Sequence, residues 1–379
     1  MNNRNSLSFW IFTLLVMITI LNDRLALYNM VFSPIYVFFC MYYAVKVIPQ
    51  FKVSFYLLLF SLIYFAYVII SPNIVGGLNS KWGMLNWELK VMLTFFPAYY
   101  FAKKEIVTSK QLRRVGVLFL IVAIVSYYLN INSVILNREY DEEGLTNNVG
   151  YLFVAIIPLL LANVRKNFIF IIIAYIFILA SLKRGAIVCG LATIPFLIYL
   201  CRSQFHINKK VILFFLIVLS FGVAYLIQGA MRSNEYVEKR IEMTLEGNSS
   251  GRDDHIKDIL YRLEEFDAVD MITGRGINYS MKMIGGFAHN DWLELLSSMG
   301  IIGCFSYLLT FLVLYLSRKK YCNAGYKVIG SLIILLIFMR TMISMNYFSL
   351  DSIPFYYTLG LICYRKELNE SSSLHGHIQ

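Results

Sequence analysis

Long apolar runs separated by short polar stretches make up most of the chain. A helix crosses the roughly 30 Å hydrocarbon core of a bilayer in about 20 residues, so an apolar run of that length predicts a membrane span. Twelve runs fit, at residues 7–21, 25–45, 53–70, 83–102, 115–130, 149–164, 167–182, 185–201, 211–228, 290–316, 327–345 and 353–364. The pattern therefore predicts an all-α integral membrane bundle, although the first and last runs are short for a full crossing.

One long polar stretch interrupts this pattern, at residues 229–289. Residues 234–246 repeat apolar positions at helical spacing, and Gly247 offers a helix stop. A second helix is predicted to follow, because Ser250 and Asp253 form a capping-box pattern. Its apolar stripe consists of Ile256, Ile259, Leu260, Leu263 and Phe266. Such amphipathic helices are expected to lie on the membrane surface or to cover the bundle.

The distribution of basic residues predicts the orientation of the spans. Placing the N-terminus in the cytoplasm puts nineteen Lys and Arg residues inside and five in the short outer connections, as the positive-inside rule requires. Residues 1–228 then form nine spans, 229–289 an extracytoplasmic loop, 290–367 three more spans, and 368–379 a disordered cytoplasmic tail. The net charge of +11 is explained by the cytoplasmic loops, so no nucleic-acid partner is predicted.

The composition indicates a membrane protein and offers no metal or cofactor site. Charged residues make up 15% of the chain, against about 25% in soluble domains. None of the six cysteines lies between residues 229 and 288, so no disulfide is expected there. Asp253, Asp254 and His255 are consecutive, and consecutive helical side chains point in different directions. We therefore predict no metal ion and no cofactor.

Three arginines at the predicted outer face are candidate anion-binding residues. Arg184, in SLKRGA, lies at a predicted outer turn, where the orientation rule disfavours basic residues. This placement favours a binding role for Arg184 over contact with lipid headgroups. Arg252, in SSGRDD, opens a predicted helix whose N-terminus attracts anions, with a salt bridge to nearby acids as the alternative. Arg275, in TGRGIN, lies between two glycines that could present backbone donors, although turn formation is the stronger explanation of the glycines.

The start of span ten carries several polar residues. His289 opens this span and is either a catalytic base or an interfacial hydrogen-bonding residue. Asn290, Glu294 and either Ser297 or Ser298 fall on one helix face by their spacing. The top of this helix is therefore predicted to offer a polar stripe beside the histidine.

Further charged residues lie within predicted spans, Arg340 in span eleven and Glu88 with Lys90 in span four. A charge inside a membrane is expensive, so each is a candidate site residue. These residues either pair with each other or face the same cavity.

These residues, taken together, resemble the bacterial O-antigen polymerase and ligase family of membrane glycosyltransferases. The matching pieces are NNVGYLFVAIIPLLL, SLKRGA, SGRDDH, TGRGIN and AHNDWLELLSSMGIIG, which lie within roughly residues 147–316. Their order and their placement on one membrane face carry the resemblance. This chain has Ser298 where the family commonly has an acidic residue before the glycine, with Glu294 one turn earlier.

The resemblance implies a GT-C-like bundle in the bacterial cytoplasmic (inner) membrane, with its active site on the periplasmic or extracellular side. The implied donor and acceptor are undecaprenyl-diphosphate-linked oligosaccharides. Arg184, Arg252 and Arg275 would bind the donor diphosphate without a metal. His289 would act on the acceptor hydroxyl. Asn290, Glu294 and Arg340 are implied as residues that support these binding and catalytic side chains.

The function that the resemblance implies is that of a polysaccharide polymerase, for O-antigen, capsule or exopolysaccharide. Membrane lipids, a chain-length regulator and a flippase are the expected partners. One alternative is the O-antigen ligase of the same family, which transfers the glycan to lipid A-core. An alternative of another class is a lipid-linked oligosaccharide flippase or secondary transporter, which is less favoured because the sequence shows no internal repeat.

Overall fold

The structure, a computed structural model, describes residues 3–25, 29–48, 52–71, 77–136, 148–205, 252–321 and 324–363. Every regular element within these ranges is helical. The α-helices are α1 Asn3–Leu25, α2 Asn29–Val47, α3 Lys52–Ile70, α4 Gly77–Leu93, α5 Phe95–Lys103, α6 Ser109–Leu136, α7 Gly150–Leu161, α8 Val164–Ala180, α9 Arg184–Ala192, α10 Ile194–Phe205, α11 Arg252–Leu263, α12 Ala268–Thr273, α13 Tyr279–Ile284, α14 Asp291–Tyr321, α15 Ala324–Ile343 and α16 Ile353–Ile362. A short 3₁₀ helix, Leu350–Ser352, precedes α16.

Four helical stretches in the described ranges are long and apolar enough to cross a bilayer: Ser109–Asn130, Arg184–Arg202, Asp291–Leu316 and Tyr326–Ile343. Shorter apolar helices occupy Ser6–Asn22, Val31–Val47, Phe55–Ile70 and Gly150–Leu161. These helices agree with the predicted membrane bundle, whereas the count of twelve spans stays a prediction. The predicted span at 211–228, the helix at 234–246, the Ser250 cap and the tail at 368–379 lie outside the described residues.

Two predicted single spans are each divided into two helices. Span 83–102 breaks at Thr94 and span 185–201 breaks at Thr193, and each threonine hydroxyl donates to a carbonyl of the preceding turn. Such bonds bend helices. A proline follows each break within three residues, and proline has no N–H to continue the ladder of backbone bonds. A hydropathy average over each span does not detect these breaks.

Helix α16 lies inside the bundle. Its ten residues are all buried, and at 1.5 Å per residue they rise about 15 Å. The described part of the twelfth predicted span is therefore too short to cross a bilayer by itself. The rings of Phe12 and Phe119 pack against Tyr357 of α16, with ring centres 5.4 and 5.2 Å away.

The three helices α11, α12 and α13 cover the start of α14. Ile259 and Leu263 of α11 are buried in a small core with Met283 and Ala288. The predicted apolar stripe is thus correct at these two positions and at Phe266, which packs against the same core. It is wrong at Leu260, which is 50% exposed, because consecutive residues on a helix point about 100° apart and cannot both face one narrow contact.

Candidate functional site

The long helix α14 is interrupted at Gly300, where φ is 62° and ψ is −157°. Glycine alone adopts this backbone region readily. A Cβ at Gly300 would overlap the carbonyl of Ile272 and the backbone nitrogen of Gly274. The turn that contains TGRG and the segment that contains SSMG are therefore in direct backbone contact, which only a residue without a side chain permits.

The interruption leaves carbonyl oxygens of the preceding turn open to partners outside the helix. Ser297 O accepts from the Arg275 N–H at 3.1 Å, and Ser298 O accepts from the Gly276 N–H at 2.9 Å. The Tyr67 hydroxyl of α3 donates to the carbonyl of the next residue, Met299, at 3.4 Å. Three successive carbonyls of α14 are thus bonded by the TGRG turn and by α3, which fixes both against the helix.

The guanidinium of Arg275 is held by its own loop. Its Nε donates to Asp270 at 2.6 Å, one Nη donates to the Tyr279 hydroxyl at 3.0 Å, and the other donates to Glu265 O at 3.1 Å. The bond to Tyr279 and then the bond to Asp270 raise the pKa of Arg275 above its ordinary value. The contacts agree with the turn-forming explanation of this motif and leave two N–H groups of the side chain for other partners.

Glu294 is fully buried and connects three parts of the chain. Its carboxylate accepts from the Ser280 hydroxyl at 2.8 and 2.7 Å, from the Ala288 N–H at 3.1 Å and from the Ser298 hydroxyl at 3.4 Å. It therefore fixes the segment just before His289 to α13 and α14. The predicted placement of Glu294 and Ser298 on one helix face agrees with this contact.

Asn290 caps α14 instead of lining the face that carries Glu294. Its Oδ1 accepts from the N–H groups of Trp292 at 2.9 Å and Leu293 at 3.2 Å, which is the usual role of Asn at this position. Its Nδ2 donates to the Met342 carbonyl near the end of α15 at 3.0 Å. Asn290 thus joins the start of α14 to the end of α15.

His289, the residue before this cap, is exposed and has a φ of 50°. Non-glycine residues are uncommon in this left-handed region, although His is enriched there. Because the side chain is accessible at the start of α14, it can reach a substrate from outside the bundle. This position is compatible with a general base.

Asp291, which the sequence analysis did not choose, is the centre of a buried network. Its Oδ2 accepts from the Tyr307 hydroxyl at 2.9 Å and its Oδ1 from the Asn346 N–H at 2.9 Å. Asn346 Nδ2 in turn donates to Tyr307 at 3.1 Å and to the Tyr356 hydroxyl at 3.4 Å. The network ties α14 to α16 through the segment that follows α15.

Arg340 is buried, with 2% of its surface exposed. Its guanidinium carbon lies 4.6 Å from the centre of the Tyr151 ring, and one Nη donates to the Ser349 hydroxyl at 2.6 Å. Within the described residues, its Nε and its other Nη have no hydrogen-bond partner. Glu88 accepts from the Ser61 hydroxyl at 2.6 Å, and its other carboxylate oxygen has no hydrogen-bond partner among the described residues. The predicted alternative in which Glu88 pairs with Arg340 is therefore wrong.

Contacts along α7 and α15 bring the SLKRGA turn close to Arg340 and to the start of α14. Arg184 is the first residue of α9 and is half-buried. The next residue, Gly185, lies against the Tyr151 hydroxyl and near Ile343, and a Cβ at Gly185 would overlap that hydroxyl. Tyr151 in turn stacks on Arg340. Arg184, Arg340 and the start of α14 therefore lie at one end of the bundle.

Arg252 is the first residue of α11, and its side chain lies outside the described part of the structure. Its role in binding the diphosphate consequently stays a prediction. The contacts of Tyr151, Ser349 and Asn346 were missed by sequence reasoning. A buried hydroxyl or amide gives no signal in an apolar sequence, whereas an arginine or a glutamate does.

The fold and these networks define a class, a helical membrane protein with polar residues gathered at one end of its bundle. Comparison of the chain with protein-family models and with curated protein sequences gave no match. Among the described residues, no three His, Cys, Asp or Glu side chains lie close enough to hold a metal ion.

Proposed function

We propose that this protein is a polysaccharide polymerase of the bacterial cytoplasmic membrane, working on the outer face. In this proposal the bond between the donor sugar and undecaprenyl diphosphate breaks, and the acceptor hydroxyl of a lipid-linked repeat unit bonds to the freed anomeric carbon. The hydroxyl proton passes to a base, and undecaprenyl diphosphate leaves. The observation that supports the proposal best is the gathering of Arg184, Arg340 and exposed His289 at one end of the bundle.

The roles follow from the chemistry of these residues. A diphosphate leaving group requires neutralised charge, and a guanidinium supplies paired hydrogen bonds without a metal. We assign this role to Arg184 and Arg252. Because His289 is accessible, we assign it the role of general base for the acceptor hydroxyl. Arg275, whose guanidinium is held by its own loop, has a positioning role in this proposal.

Single substitutions separate the two roles. Arg184→Lys keeps the charge but loses paired hydrogen bonds, so donor binding and polymer yield are expected to fall by about 30-fold to 1,000-fold. His289→Ala is expected to spare donor binding and to reduce polymer yield by about 100-fold to 10,000-fold. The measurements are affinity for undecaprenyl-diphosphate oligosaccharide and polymer length on gels, with His255→Ala as the control. Normal polymerisation by folded His289→Ala would refute the assignment.

Two rival functions predict different products. A ligase of the same family would move glycan to lipid A-core, and purified protein would then label lipid A-core without extending lipid-linked repeats. A flippase or secondary transporter is favoured by the buried carboxylates Glu88, Asp291 and Glu294, since charges inside a bundle often mark transport pathways. Chain growth by purified protein without an ion gradient, and in the presence of chelator, would support the polymerase over the transporter.

A further inference from the structure

A pocket of about 800 Å³ opens between the end of α3 and the loop that carries TGRG. Its chemically important lining residues are Tyr67, Ser71, Asp270, Arg275, Tyr279 and Lys282. None of its lining residues comes from α7, α9 or α15. The pocket is therefore separate from the region of Arg184 and Arg340, and its volume is in the range of small-molecule sites.

The walls of this pocket are fixed by bonds that do not involve a ligand. The Ile277 N–H donates to the Ser71 hydroxyl of α3 at 3.2 Å. The N–H groups of Arg275 and Gly276 donate to α14, and Asp270 accepts from Arg275. A ligand would consequently enter a shape that already exists, which reduces the entropy lost on binding.

The polar groups of the pocket include both donors and acceptors. Lys282 is exposed and lies 5.6 Å from the centre of the Tyr279 ring, and Arg275 has two N–H groups that make no bond within its loop. Asp270 uses one carboxylate oxygen for Arg275, which leaves the other as an acceptor. A phosphate would satisfy Lys282 and Arg275, but it would offer no donor to the remaining oxygen of Asp270. A sugar hydroxyl both donates and accepts.

The two tyrosines complete the pattern of a carbohydrate site. Tyr67 and Tyr279 line the pocket. Their hydroxyls already bond to Met299 O and to Arg275, so a ligand would meet chiefly their rings, and the C–H face of a sugar offers apolar surface to such rings. We propose that this pocket binds a glycan segment, that of the acceptor repeat unit. The identity of the glycan as acceptor rests on the proposed polymerase function, whereas the binding of a glycan does not.

The test uses the full chain in lipid nanodiscs and an array of bacterial surface oligosaccharides as the probe. Thr273→Phe places a ring in the pocket, and Lys282→Ala removes a donor that has no hydrogen-bonded partner among the described residues. Each is expected to weaken binding of the recognised glycan by about tenfold or more. Lys257→Ala is the control, because Lys257 is 77% exposed and lies outside the pocket. Thermal unfolding of each variant verifies folding.

The outcomes separate the two proposals. The glycan site is supported if the wild-type protein binds a glycan, both pocket variants bind it more weakly, and the control variant binds it as tightly as the wild type. Binding to no oligosaccharide, equal binding by the pocket variants, or competition by inorganic diphosphate but not by free sugars overturns it, whether or not the protein polymerises. A gene deletion that leaves the host's polymer unchanged overturns the polymerase instead and leaves the binding result standing.

Discussion

Arg340 lies in the interior of the bundle, where only the Tyr151 ring and the Ser349 hydroxyl contact its guanidinium among the interactions described above. Removing a guanidinium from water costs several kcal/mol unless its partners compensate. Compensation is only partial here, because Nε and one Nη have no bonded group in the described chain. Arg340 is also attracted electrostatically by the Asp291 carboxylate. As part of the proposed function, we expect the two donors that have no bonded group in the described chain to bind an anionic substrate group.

Arg340→Met tests this assignment, because it replaces the charge with an apolar side chain of similar length. Replacing a buried charge by a hydrophobe is often neutral or stabilising by about 1–4 kcal/mol. We therefore expect an unchanged or higher unfolding temperature together with polymer yield lowered by about 30-fold or more. Arg262→Met, on the exposed side of α11, is the control. A marked loss of stability with full activity would show that Arg340 is structural.

At the residue scale, the sequence predicted Arg340 and Glu294, but it did not predict Asp291 or the uncharged partners of these residues. Arg340 and Glu294 were recognisable because a charge inside an apolar run is expensive. Asn346 was not, since its contact with Asp291 joins residues 55 positions apart. Helical spacing relates neighbours three or four positions apart, so it carries no information about such contacts.

At the scale of elements, the break in α14 depends on one glycine. Gly300→Ala would require a strained backbone and would drive a Cβ into the TGRG turn. We expect a loss of at least about 2 kcal/mol in stability and release of the loop that covers α14. Gly286→Ala is the matched control, because a Cβ there meets no atom within 4 Å. Thermal unfolding in detergent measures both, and equal unfolding temperatures would contradict this account of the break.

The covering helix α11 offers a test with two adjacent residues. Ile259 is fully buried and Leu260 is 50% exposed. Ile259→Ala is expected to reduce the docking energy of α11 by about 2–5 kcal/mol, and Leu260→Ala by less than about 0.5 kcal/mol. Limited proteolysis of residues 252–290 would report the difference as faster cleavage. If Leu260→Ala released α11 as strongly as Ile259→Ala, the orientation of this helix would be incorrect.

The elements were predictable where hydropathy changes and unpredictable where it does not. Within the described residues, the predicted spans correspond to helices. The breaks at Thr94, Thr193 and Gly300, by contrast, lie inside apolar runs. Each break depends on local bonding or on contact with a distant segment. The spacing of TGRG and SSMG gave no sign that the two would meet.

For the whole molecule, the positive-inside distribution predicts that the loop and the site face away from the cytoplasm. A cysteine placed at exposed Lys257 should react with an impermeant maleimide on cells whose outer membrane, if present, is permeabilised. A cysteine at exposed Lys104, between α5 and α6, should react only after the cytoplasmic membrane is broken. Wild-type protein gives the background from native cysteines. The reverse order of labelling would invert the orientation and exclude an outer site.

The interruption at Gly300 also has a consequence for biogenesis. The TGRG turn and Tyr67 bond to the carbonyls of Ser297, Ser298 and Met299, and all of these donors are synthesised before α14. An unbonded carbonyl in hydrocarbon costs several kcal/mol. The first turns of α14 are therefore stable at the membrane only after the loop and α3 are in place. On the predicted orientation, α14 would thus enter the bilayer beside a loop and an α3 that are already in place.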